Sequence, residues 1–456
     1  MSRESKALNL TEGVIWKQLL LVLIPTVIGT LFQQLYNTAD AIIVGQFVGS
    51  DALAAVGGSA SVIIQFMVGI FTGLASGATV VIAHSYGAED RERLSRAVHT
   101  ALAFSLLAGG FLSAVGILSA PLTLSLTKNP ADIMGPSVLY LRLYFTGMIP
   151  MMVFNMGAGI LRAVGDSRRP LYYLVVCCVL NILLDLLLVA VLQMGVAGAA
   201  AATAISNLVS GLLILGQLIR TQDSYRYQPR KTCFHGPTLL HILAIGVPAA
   251  IETSMYSFSN LLIQIPVNDL GTDAVAAWAA ADKVSGIYWS LVVAFGVSIM
   301  AFVGQNCGAG KVERMRKGIR VCLGMATIMT AVLGGLLLLF VKYCFRIFTD
   351  NPEVIGTATE VIFFFVPFYF LWNFIEVLAN AFRGAGDAVV PMVISVGGIC
   401  GVRILWILLM VPHWNSLIGI SAGYPVSWLI TDIILILYYK GGRWLKYTPN
   451  GSELIE

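Results

Sequence analysis

The chain has 456 residues, 57% hydrophobic and 11% charged, with a mean hydropathy of +0.83 and a net charge of +4. A soluble domain carries about 25% charged residues, so a water-soluble fold is excluded and an all-α polytopic membrane protein is implied. Nothing in the composition suggests a nucleic-acid partner.

The N-terminal stretch MSRESKALNLTEGVIWK is polar and leads straight into a full-length span, so no cleavable signal peptide is expected. A span needs about 20 apolar residues, and twelve are predicted. The first six are 15–44 (LVLIPTVIGTLFQQLYNTADAIIVG), 52–82, 97–125, 136–160, 170–191 (VVCCVLNILLDLLLVAVL) and 196–219. The polar, basic stretch RTQDSYRYQPRKTCFHGPT then reads as a linker. The remaining six are 238–266, 275–303, 318–345, 356–381, 389–411 and 416–439. The first, second, seventh and eighth exceed the bilayer thickness and are expected to tilt or bend. The seven cysteines have no metal-ligand or disulfide spacing and read as small packing residues.

Lysine and arginine set the orientation. With the N-terminus inside, the cytoplasmic segments carry 22 of the 28 basic residues. The outer segments hold only Lys128, Lys342 and Arg346, and Arg142, Lys283 and Arg403 fall within spans. Both termini are expected in the cytoplasm, and the protein in the cell inner (plasma) membrane.

The halves repeat. GSDALAAVG (49–57) matches GTDAVAAWA (271–279), HSYGAEDRERLSRAV (84–98) matches QNCGAGKVERMRKGI (305–319), and LRAVGDSRRP (161–170) matches FRGAGDAVVP (382–391). Pro25 matches Pro248 and Asn129-Pro130 matches Asn351-Pro352, all at an offset of 221–223 residues. Six spans per copy is an even number, so both copies enter the membrane from the same side. The expected architecture is two six-helix lobes, 1–219 and 238–456, joined by a cytoplasmic linker at 220–237 and related by an axis along the membrane normal. Two lobes that rock about a midplane site are the basis of alternating access, which favours a transporter.

On these motifs the sequence resembles the multidrug and toxic compound extrusion (MATE) family over essentially residues 10–440. The signs are the 6+6 plan, the early proline of span 1, the Gly-Ser-Asp-Ala-Leu-Ala-Ala loop and the Arg-x-x-Gly-Asp turn, the last two with second-half copies. The resemblance implies a twelve-helix, V-shaped, two-lobe fold. It also implies export of amphipathic, often cationic compounds in exchange for H⁺ or Na⁺, with no cofactor.

Ionisable residues inside a membrane default to functional hypotheses, because a central carboxylate costs about 2.5–3.5 kcal/mol to insert. Asp40 in span 1 and Asp185 in span 5 lie at matching depths, with Asn181 one helical turn from Asp185 and Thr203 early in span 6. Two carboxylates, an amide and a hydroxyl suit a proton or a small hard cation. The set matches the N-lobe cation site of one branch of the family, whose further asparagine on the fourth helix would be Asn155; a bend at Pro150 would bring it closer. At the repeat offset Asp40 maps onto residues 261–263 and Asp185 onto 406–408, all apolar, so the fold itself does not need these acids. Against a functional role, the acids would serve only as interhelical hydrogen-bonding groups, at about 0.6 kcal/mol each.

Glu252, Asp282 and Glu376 are secondary acidic candidates; Asp282 and Lys283 would each pair with a partner across helices, in a functional site or equally in a buried structural salt bridge. Arg403 would pair with one of these acids or snorkel, and Arg142 reads as structural. The resemblance lines the substrate cleft with spans 1, 2, 7 and 8. From these we select Gln34, Tyr36 and Asn37, then Gln65 and Met67, then Met255, Tyr256 and Asn260, and Trp289. Methionine and aromatic surfaces suit varied amphipathic cations, although lipid-facing belts use the same residues.

The expected partners are small amphipathic or cationic drugs and the lipid bilayer, with the protein a monomer. The alternative is a lipid-linked precursor flippase of a related fold, which would call for a more cationic cleft. GQNCGAGKV (304–312) has the wrong glycine spacing for a P-loop, and the loop HSYGAEDRERLSR lacks the major-facilitator pattern. The five histidines are scattered, which disfavours a membrane enzyme.

Overall fold

The computed structural model describes residues 8–127, 129–232, 234–346, 351–414 and 416–448, and all regular structure among them is helical. Twelve spans are present. They are α1 (Ile15–Phe47), α2 (Asp51–Gly87), α3 (Arg91–Leu126), α4 (Ala131–Thr146 with Met148–Ala163), α5 (Arg168–Val191) and α6 (Gly195–Arg220). After the linker come α7 (Gly236–Asp269), α8 (Thr272–Gly308), α9 (Val312–Phe345), α10 (Pro352–Gly384), α11 (Val389–Leu409) and α12 (Leu417–Gly441).

Several helices outrun their apolar stretches, for local reasons. α3 starts at Arg91 rather than 97 because the Asp90 carboxylate caps it, accepting from the Arg93 N–H at 2.9 Å. α10 starts at Pro352, suited to a first turn, with Asn351 accepting from the Glu353 N–H at 3.0 Å. α1 and α7 run unbroken through Pro25 and Pro248, whereas α4 bends by 48° between Thr146 and Met148. Pro150 has no N–H to offer the Thr146 carbonyl one turn back, so the break falls just before it.

The described residues fall into two compact units. One comprises residues up to Asn9 with Ile24–Val247; the other comprises Leu10–Leu23 with the chain from Pro248 onward. In the first, α4 packs against α2, α3 and α6. In the second, α10 packs against α8, α9 and α12. The segment Leu10–Gln18 is fixed within the second unit by Arg314, whose guanidinium donates to the carbonyls of Leu10 (3.2 Å), Glu12 (2.8 Å) and Gly13 (2.9 Å). The segment after α6 folds back on the first unit. Its Gln228 N–H donates to His99 Nε2 at 3.0 Å, and Tyr225 is fully buried, which pushes its phenol up to about 12.

The repeated turns are built alike. Gly165 (φ 84°) and Gly386 (φ 100°) take left-handed conformations, and the next residue's N–H, Asp166 or Asp387, donates back to Leu161 (2.8 Å) or Phe382 (3.0 Å). Each closes the helix before it, α4 or α10, and starts α5 or α11. Those two helices each contain one π-helical turn, but at different places: Leu186–Val191 in α5 and Val396–Gly401 in α11. A π turn takes in one extra residue. The offset between copies therefore steps from 221 to 222 beyond the turn of α11, which matches Asn181 with Arg403, and back to 221 beyond that of α5, which matches Thr203 with Tyr424.

Candidate functional site

In the first unit, α1 and α5 bring Asp40 and Asp185 together, close enough for the two carboxyl groups to act on each other electrostatically. With both ionised, neither can donate. Asp40 Oδ1 and both oxygens of Asp185 accordingly have no donor, and neither Oδ1 nor Nδ2 of the fully buried Asn181 has a partner. Four helices of a well-packed unit leave this many buried polar atoms unpaired only at a cost of about 1–3 kcal/mol each. The π turn begins directly after Asp185. Thr203 is buried, donates to the Ala199 carbonyl at 3.1 Å and adjoins the Tyr36 hydroxyl. Tyr36 sits within electrostatic range of Asp40, as do Tyr140 and Tyr144, whose rings lie 6.0 Å apart. The arrangement can hold one proton between two acids, or a hard cation among carboxyl, amide and hydroxyl oxygens.

Asn155 lies on α4, in the part that follows the bend. Its amide donates to the Met151 carbonyl at 2.9 Å, and it lines a cavity of about 910 Å³ in the same unit, shared with Gln33, Tyr36, Arg162 and Asn207. Tyr36 is the residue common to the cavity and the acid cluster. Among the described residues no carboxylate lies within 4.0 Å of the Arg162 guanidinium.

The other acids are arranged differently. Glu252 and Glu376 belong to one network in the second unit. Glu252 Oε2 lies 2.5 Å from Arg383 Nη2, and its Oε1 accepts from Tyr256 at 2.9 Å. Arg383 also donates to Asn380 Oδ1 (2.8 Å), and Asn380 Nδ2 donates to Glu376 Oε1 (2.8 Å). Gly296 of α8 is what admits this network, since a Cβ there would meet Glu376 Oε1 at 2.2 Å. Among the described residues neither Asp282 nor Lys283 has an oppositely charged partner on another helix within 4.0 Å. Both are exposed and line different recesses, because adjacent residues on a helix face apart. Arg403 pairs with none of these acids. It is buried, stacks 4.1 Å from the Tyr424 ring centroid, and donates to Asn260 Oδ1 (3.2 Å) and Ser427 (3.3 Å). Arg142 is exposed, with its Nε donating to the Ile117 carbonyl at 3.4 Å.

Of the residues selected for a substrate cleft, Gln34, Asn37 and Gln65 are exposed and Met67 half-buried. Tyr256 is committed to Glu252 and Asn260 to Arg403, while Met255 supplies the carbonyl that accepts from the Cys400 thiol at 3.3 Å. Trp289 joins an aromatic cluster with Trp372 (5.5 Å), Trp428 (5.9 Å) and Tyr369 (5.6 Å). One acid was missed altogether: Asp432 of α12 is 3% exposed and neither carboxyl oxygen has a partner. Its signal was present in LITDIILILYY, an acid inside an apolar run.

The MatE family model matches residues 25–187 and 248–409, one match in each copy of the repeat. Two relatives from Bacillus subtilis, the probable multidrug resistance proteins YoeA and YpnP, are each 28% identical; the alignments cover 93% and 96% of this chain and 94% and 98% of theirs. Among solved structures, the outward-facing conformation of a multidrug resistance MATE family transporter superposes with a TM-score of 0.89 over 96% of this chain and 98% of that one, at 23% identity. A family model that covers both copies of the duplication, over helices arranged as the repeat demands, shows that the chain belongs to the MatE family and is a multi-span membrane transporter rather than an enzyme.

Proposed function

We propose that the protein is a secondary active multidrug exporter that exchanges H⁺ or Na⁺ for amphipathic, often cationic compounds. The observation that carries this reading is the facing pair Asp40 and Asp185, in which Asp40 Oδ1 and both Asp185 oxygens have no donor, beside the unpaired Asn181. Family membership and the names of the multidrug-resistance relatives support the substrate class. Those names lend nothing to a flippase.

In this reading the coupling ion binds among Asp40, Asn181, Asp185 and Thr203. With no ion bound, the pair is negative and the drug-binding state is favoured. A proton bridging the carboxyls, or Na⁺ among their oxygens, removes the repulsion between them. That repacks α1 at its Pro25 weak point and weakens the drug site. Tyr36, common to the cluster and the 910 Å³ cavity, is the link between ion and drug, and Asn155 acts on the cavity side. The lobes 1–219 and 238–456 alternate access about the linker 220–237, in a monomer whose termini are cytoplasmic.

The test is dye efflux from proteoliposomes under an imposed pH gradient and, separately, an imposed Na⁺ gradient. One gradient should drive efflux by the wild type and neither should drive it in Asp185→Asn. Equal efflux by wild type and variant would remove the site from the mechanism.

A further inference from the structure

Asp282 and Lys283 are neighbours on α8 yet look out on different surroundings. Asp282 lines a recess walled by Trp278, Trp289, Phe365 and Tyr424. Lys283 lines a groove of about 980 Å³ between α8 and α9, whose other walls are apolar: Val284, Ile287, Leu333, Leu337 and Phe340. The floor is the buried pair Tyr288 and Tyr369, stacked 4.2 Å apart. The upper walls are open, with Ile287 58% and Phe340 53% exposed.

The lysine is exposed to this groove, and among the described residues no carboxylate oxygen lies within 4.0 Å of its amine. Its depth follows from α9, which packs antiparallel beside α8. Between Arg320 and Lys342 α9 has 21 uncharged residues. At about 1.5 Å per residue that run matches the roughly 30 Å hydrocarbon core, so Lys342 marks one interface. Lys283, which shares the groove with Phe340 and Cys344, lies just inside that interface. Its stem is long enough to lift the ammonium to the headgroup level while the groove runs on into the core. The basic turn Lys311–Arg320 marks the opposite interface.

A cation with no ion-pair partner at headgroup level, above an apolar channel at acyl-chain level, is complementary in shape and charge to an anionic amphiphile. We propose that the groove between α8 and α9 binds one acyl chain of an anionic phospholipid, with its phosphate on Lys283, in the leaflet away from Lys311–Arg320. A zwitterionic lipid presents a choline beside the same phosphate and binds less well.

The experiment uses the full-length protein in nanodiscs of equal phosphatidylglycerol and phosphatidylcholine with identical acyl chains, delipidated stepwise and read by native mass spectrometry. The wild type should retain one phosphatidylglycerol over phosphatidylcholine by roughly fivefold, the preference that one lysine supplies near a charged surface. Lys283→Gln should abolish the preference. Lys342→Gln, at the same interface but outside the groove, should keep it. Leu337→Trp should expel both lipids from the groove while leaving the lysine in place. The proposal is overturned if Lys283→Gln retains phosphatidylglycerol as the wild type does, if Lys342→Gln loses it equally, or if Leu337→Trp leaves retention unchanged.

Discussion

Matched positions in the two units carry charge in opposite arrangements. Arg162 and Arg383 stand 221 residues apart in equivalent turns. Arg383 is held by Glu252 at 2.5 Å, while Arg162 borders an open cavity, because Gly29 stands four residues after Pro25 where Glu252 stands four after Pro248. Conversely, Asn181 leaves two carboxyls uncompensated in the first unit, and its counterpart Arg403 lies against a tyrosine ring with no carboxylate beside it. The duplicated scaffold thus accommodates a charge in one copy where the other has none. One unit closes its main charge pair internally, and the other leaves an acid pair open, which is the condition for exchanging an ion.

Four measurements break or sharpen that contrast. The largest effect is expected from Glu252→Gln, which strands a buried guanidinium. Losing one partner of such a pair costs about 3–5 kcal/mol, so the melting temperature in detergent should fall by on the order of 10 °C. Replacing both partners, as Glu252→Gln with Arg383→Met, should recover most of it; failure of the double variant to recover would mean the pair is not what holds this unit. Asp185→Asn should act in the other sense. It relieves an acid that costs about 2.5–3.5 kcal/mol in the membrane, so the melting temperature holds or rises while gradient-driven efflux is lost. A fall comparable to that of Glu252→Gln would show that the first unit's acids are structural too.

The equivalent turns come next. Gly386→Ala should cost about 1–2 kcal/mol for a left-handed backbone. Gly165→Ala should cost more, because its Cβ would also meet the Leu8 carbonyl at 2.4 Å. Equal losses would mean that the Leu8 contact yields freely. The smallest effect concerns Asp166, whose carboxyl is raised from its ordinary 3.8 by burial, despite N–H bonds from Arg168 and Arg169 at 3.2 Å. A raised acid favours folding while protonated and loses that contribution as pH climbs through its folded value. The stability of the wild type relative to Asp166→Asn should therefore decline as pH rises above about 4. A flat difference would rule burial out as the cause.

The sequence carried the spans well, because continuous apolar runs and cytoplasmic basic clusters are one-dimensional signals. It carried the acid pair for the same reason: Asp40 and Asp185 interrupt apolar helices at matched depth. It did not carry side-chain partnerships between helices. Glu252 and Glu376 read as separate candidates, although Arg383 and Asn380 join them, because which faces meet depends on helix rotation, and helices apolar all round offer no stripe to fix it. Asn155 lines the cavity that Tyr36 shares with the acid pair, a position its depth along the sequence did not fix because α4 bends. The partners across helices expected of Asp282 and Lys283 are not found for the same reason: the face each presents depends on helix rotation. Asp432 was a visible signal not followed.

Each of the displaced π turns is how a helix absorbs a single extra residue: the wide turn takes it in, so the side chains beyond keep their faces instead of swinging by about 100°. The two copies carry theirs at different points, Leu186–Val191 and Val396–Gly401, so between those points matched positions stand 222 residues apart instead of 221. Asn181 and Arg403 lie in that interval, as does Asp185. Each copy thus holds an extra residue in a local widening of the helix, and the stretch between the two sites carries unlike residues while the turns at either end stay alike.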